Sequence, residues 1–170
     1  MRMSPNLRKL TLSLHITLSV GWIGAVLAYL ALVIAAMRSQ DVQALRAAWL
    51  AMGSIGRFII VPLAVAALLT GLVMALGTKW GLLRHYWVLI SLGLTVLATA
   101  VLVAHMPTVT FFAGLAARTD SANVGRLRAG LGGELFHAGL GLLVLLVVQA
   151  LNVYKPQGLT PWAAQAARTT

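Results

Sequence analysis

The chain contains no cysteine. Disulfides, thiolate metal sites, thiol nucleophiles and covalent c-type haem attachment are excluded together. Acid is almost as scarce: among 170 residues only Asp41, Asp120 and Glu134 carry a carboxylate. Chemistry that needs a carboxylate pair, or a carboxylate-rich metal cage, has no material to work with. Charged residues amount to 9% and hydrophobic ones to 60%. A water-soluble domain of this size cannot cover its surface with so few charges, so the composition is that of a membrane protein. The charge that is present is basic, 13 Lys and Arg for a net +10. It is scattered over short loops and ends, where it suits anionic lipid headgroups. No basic stripe with interleaved aromatics exists, and nucleic acid is excluded as a partner.

What the sequence has instead is long apolar runs. They predict an all-α, polytopic membrane protein, a four transmembrane helix bundle forming a single membrane domain over residues 1–170. The spans are expected at about 10–37, 58–76, 87–106 and 130–153. The first run is far longer than the ~7–15 apolar residues of a cleaved signal peptide, and is read as a retained helix. Its interlocked small pairs, Gly21/Ala25 and Gly24/Ala28, permit close helix contact. Residues 42–53 form either an interfacial helix or a lead-in to the second span, and Pro62 falls in that span's first turns. Lys79, Trp80, Arg84, His85, Tyr86 and Trp87 compose a membrane interface. Pro107 either ends the third span or kinks a helix that continues to 117. Residues 154–170 are a short tail broken by Pro156, Gly158 and Pro161. Four spans place both termini on one side, with seven Lys and Arg there against six on the other. That balance slightly favours cytoplasmic termini.

An ionisable residue inside a membrane is a functional candidate by default. The organising stretch is Gly132–Gly141, in which His137 has glycine at both four-residue neighbours, Gly133 and Gly141, on its own helix face. Bare backbone above and below the ring leaves a flat space for another helix or a planar cofactor. The four histidines fall into two levels, His105 with His137 and His15 with His85. His105 and His137 lie at similar depth on consecutive antiparallel helices and form the better pair for axial ligation of haem b, with Gly133 and Gly141 as a wall of the slot. Glu134 is placed to orient an imidazole, or to meet Arg126 or Arg128. His15 has Thr11 and Ser19 one turn away and shares a face with Trp22. His85, among Arg84, Tyr86 and Trp87, reads first as an interfacial anchor. Against each stands the plainer alternative of a histidine hydrogen-bonded to a neighbouring helix, or of a proton relay. Glu134-x-x-His137 has the spacing of di-iron bundles, which need carboxylates absent here. A copper site would use His105 with Met106, or other of the histidines His15, His105 and His137 as metal ligands.

Leu14-His15-Ile16 followed by Gly21-Trp22-Ile23-Gly24 resembles the opening helix of the copper-resistance-D-like and HemJ-type protoporphyrinogen oxidase families. Leu69-Thr70-Gly71-Leu72 and then Trp80–Val88 resemble an uncharacterised bacterial family of small integral membrane proteins. The resemblance covers roughly residues 10–153. It implies a four-helix bundle in a bacterial inner membrane with His15 near the functional centre, and haem b as cofactor. It also carries a departure: HemJ-type enzymes have a lysine in the third span, and Trp87–Leu92 has none. The expected function is therefore an integral membrane haem b-binding protein with an electron-transfer role and, if an enzyme, a membrane oxidoreductase. The alternatives are a cofactor-free subunit of a homo-oligomer or larger membrane complex, a copper-handling protein, and a His-dependent permease.

Overall fold

The computed structural model describes residues 3–78, 81–118 and 121–166. Lys79, Trp80 and Asp120 lie outside the described residues, and so does that part of the predicted interface signature. Four helical stretches are long and apolar enough to cross a membrane. The protein is an all-α bundle with one span in each.

Helix α1 (Pro5–Arg38) starts where Ser4 accepts a hydrogen bond from the Leu7 N–H at 3.4 Å and Pro5 takes a first-turn position that lacks a partner anyway. Asp41 begins α2 (Val42–Ile55) by accepting from the Gln43 N–H at 2.8 Å. The segment 42–53 is thus a lead-in rather than a separate interfacial helix. It runs without a break through a π-helical turn (Gly56–Ile60) into α3 (Val61–Gly77). The cause of the wide turn lies in Pro62, which withholds a donor. The ladder shifts register there, and the Val61 N–H donates to the Gly56 carbonyl five residues back. The second span accordingly starts well before residue 58.

Helix α4 (Tyr86–Ala117) continues through Pro107, which settles the question that the proline raises in the sequence. A 3₁₀ turn (Ser121–Asn123) leads into α5 (Val124–Tyr154), which stops at Lys155 in the left-handed region with φ 46°. The fourth span begins six residues earlier than expected. The tail is not merely broken: it returns to the loop before α4. Thr160 donates to the Leu83 carbonyl at 2.6 Å through its hydroxyl and to Arg84 through its N–H, and α6 (Pro161–Ala166) follows.

Helix α1 packs on α3 and α5, and α4 packs on α5, α2 and α3. The core gathers at the loop end opposite the termini, around Val33, Leu45, Trp49, Met52, Leu127 and Leu131. Trp49 stacks on Phe112 with centroids 4.6 Å apart and donates to the Leu127 carbonyl at 3.1 Å. Small residues set the spacing. A Cβ on Gly53 would lie 2.8 Å from that of Ala113, and one on Gly130 would lie 2.7 Å from the Phe112 ring. Arginines close this end. Arg46 donates to the Ala116 and Arg118 carbonyls, and Arg128 to that of Ser39 at 3.0 Å. Leu10, Phe58, Phe111, Phe136 and Leu143 stand exposed on the outside, as side chains do that face lipid.

Candidate functional site

The bundle carries two polar centres at different depths. The deeper one is built on Glu134, which is only 2% exposed. It projects from α5 between α1 and α4. From α1, the Tyr29 hydroxyl donates to Glu134 Oε2 at 2.6 Å. From α4, His105 Nε2 meets Oε1 at 3.0 Å. The His137 ring lies against that of His105, with centroids 4.1 Å apart and planes within 12°. His137 Nδ1 donates to the Gly133 carbonyl at 2.9 Å, because a carbonyl can only accept. The lone pair of its ring therefore sits on Nε2. His137 lies thirteen residues into α5 and His105 twelve residues before the end of α4. At ~1.5 Å per residue both are ~20 Å from those helix ends, near the middle of their helices.

His105 and His137 are thus brought together, as their spacing predicts. They meet face to face, however, and a porphyrin with an axial imidazole on each side must lie between its ligands. Rings in direct contact leave no such gap, and His105 Nε2 is already engaged by Glu134. The glycines do not form a wall either. A Cβ on Gly133 or Gly141 would find nothing within 4 Å, so that strip of α5 is open, with His137 exposed beside it. The adjoining cavity holds about 180 Å3 and is lined by Trp22, Tyr29, Met106, His105, Glu134 and His137 among apolar neighbours.

The second centre is built on His15. Thr70 Oγ1 donates to the Ala66 carbonyl at 2.8 Å, so its lone pair accepts from His15 Nδ1 at 3.0 Å. That leaves the Nε2 lone pair for a ligand. Gly71 lies against the ring: a Cβ there would come within 3.1 Å of His15 Cε1. His15 lines a cavity of about 390 Å3 between α1, α3, α4 and α5, with Arg8, Lys9, Trp22 and Ser91 among the lining residues. Ser91 is buried, and its hydroxyl has no partner among the described residues. His85 is not among the lining residues. It precedes α4, and its backbone pairs with Leu159 of the returning tail. His15 and His85 therefore do not form a pair.

Reading the sequence misses Tyr29 and Thr70 as site residues. Tyr29 is an isolated aromatic in an apolar run and gives no signal. Thr70 does give one: a hydroxyl beside glycine in the middle of a span. A third cavity, about 1010 Å3, opens near the loop between α4 and α5 and is lined by Arg57, Arg118 and Arg126 with Met106 and Pro107. No family model, curated protein or solved structure matches the chain.

Proposed function

We propose that this is an integral membrane haem b-binding protein with an electron-transfer role, and that His15 is the axial ligand. The observation that carries the reading is the His15 cavity. Its imidazole is fixed by Thr70 and flanked by the bare backbone of Gly71. The volume, about 390 Å3, falls in the range of cofactor pockets. Arg8 and Lys9 line it where propionate carboxylates need cations, and the unpartnered Ser91 hydroxyl supplies a buried polar contact. A bound haem would supply reversible one-electron chemistry. The protein's part is to hold the imidazole in one tautomer through Thr70, as an outer-shell partner does, and to shield the ring edge with apolar helix faces. The resemblance of the first span to the HemJ-type group supports the same residue. The reading extends to a bacterial inner membrane with cytoplasmic termini, on the seven-to-six balance of basic residues.

The test is a dithionite-reduced minus oxidised spectrum of the detergent-purified chain expressed with ample haem. A sharp b-type α-band that is lost in His15→Ala and kept in His137→Ala is expected. A flat spectrum overturns the proposal.

One observation favours a second reading, a subunit that packs on another chain. Gly24, Gly132, Gly133, Gly139 and Gly141 meet nothing within 4 Å of a Cβ, and His137 is exposed among them. Under that reading, substitutions at these glycines change association and leave the protein colourless.

A further inference from the structure

We infer that Glu134, His105, Tyr29 and His137 form a proton-binding station at the centre of the membrane, which exchanges protons with water on both faces. The inference stands apart from the haem reading and uses none of its residues as a ligand.

Its first support is a charge count. Among the described residues the only ionic partner of Glu134 is His105. A net charge deep in a bilayer is strongly disfavoured, so the pair holds one proton between them, as carboxylate with imidazolium or as carboxylic acid with imidazole. Tyr29 keeps its own hydroxyl hydrogen and donates it to Oε2 in either form. The groups facing the carboxyl are Tyr29 from α1, His105 from α4 and His137 from α5. The π-helical turn between α2 and α3 lines the cavity through Gly56 and Ile60, neither of them titratable, and its Arg57 lines the outer cleft instead. A second proton, held only in transit because it leaves the station charged, can add to His137 Nε2, the lone pair of the ring stacked on His105, as well as to the pair itself.

The second support is how the cavities follow one another. Met106 lines both the arginine-rich cleft and the Glu134 cavity. Trp22 and Leu145 line both the Glu134 cavity and the His15 cavity. Three hollows thus stand in series from the loop side to the side of the termini, divided by two thin partitions. Met106 is an adaptable side chain, so movement of its thioether opens the first partition. A proton entering from the cleft adds to His137 or to the Glu134–His105 pair. One then leaves past Trp22, and no electron or other reactant is needed.

The experiment uses the full chain in phosphatidylcholine vesicles that enclose a pH-sensitive dye, with a valinomycin-set potassium potential and no redox reagent. Potential-driven proton uptake above that of protein-free vesicles is expected, and Glu134→Gln should bring it down to the protein-free level. Uptake no greater than in protein-free vesicles, or undiminished in Glu134→Gln, overturns the proposal. Should the variant fail to fold, nitrogen-15 spectra of histidine-labelled wild-type protein decide. His105 and His137 titrating as a coupled pair supports the station; rings that keep one state at every pH refute it. Neither readout depends on haem, so failure here leaves the His15 spectrum unaffected.

Discussion

At the scale of single residues, two positions, Tyr29 and Gly71, decide the chemistry by what lies against them. Among the described residues, Tyr29 is the one neutral donor to a carboxyl that has almost no access to water. Tyr29→Phe removes a hydrogen bond to that group and leaves Oε2 without a donor. A hydrogen bond to a charged partner is worth ~1.5–3 kcal/mol, so a destabilisation of that order is expected in detergent-phase thermal unfolding. Gly71 acts by having no side chain. Gly71→Ala would press a methyl to within 3.1 Å of His15 Cε1 and force the ring to move. Under the haem reading, the spectrum or the occupancy should change in Gly71→Ala. Gly24→Ala on the facing helix meets nothing within 4 Å and should leave it as it was.

The same scale shows where sequence reasoning runs out. Glu134 and His105 are legible because ionisable residues are rare in apolar runs, and the spacing of Glu134 to His137 marks one helix face. Tyr29 carries no such mark. Its role depends on α1 lying against α5, and no periodicity within one helix reports which helix lies opposite. The face-to-face stacking of His105 on His137 is equally hidden. Depth on antiparallel helices predicts that they are neighbours, but side-chain direction decides whether they clasp a gap or fill it.

At the scale of elements, spans are legible from composition while their ends are not. The second span extends back to Val42 because Asp41 caps a helix there, a polar lead-in that hydropathy alone reads as a connector. Pro107 sits inside α4 because the missing bond costs one donor in a helix otherwise held on both sides, and in lipid the backbone has no better alternative than to stay helical. The contact of α2 with α4 rests on size. Gly53→Ala would set two Cβ atoms 2.8 Å apart, closer than packing allows. Overpacking of this kind costs ~1–3 kcal/mol. The paired change Gly53→Ala with Ala113→Gly should recover most of the loss, and unfolding of the two single variants and the double variant measures it.

At the scale of the whole molecule, the absence of native cysteine makes topology directly measurable. Ser4 and Gln157 are exposed at one end of the bundle and Gln40 is exposed at the other. Single cysteines at Ser4 and Gln157 should react with an impermeant thiol reagent from the same side of intact cells or vesicles, and one at Gln40 from the opposite side. A mixed result for Ser4 and Gln157 would contradict four crossings.

The partition formed by Trp22 and Leu145 has an energetic consequence. Along α1, His15 and Tyr29 are fourteen residues apart, or ~20 Å at helical rise. Across that distance at an effective dielectric of ~20, two unit charges interact by about 0.8 kcal/mol. A charge placed at one centre is therefore felt only weakly at the other, by about fourfold in an equilibrium constant, without any part of the backbone moving. The same wall that keeps the two hollows apart sterically thus also insulates them electrically, so that each polar centre can hold or exchange charge nearly independently of the other.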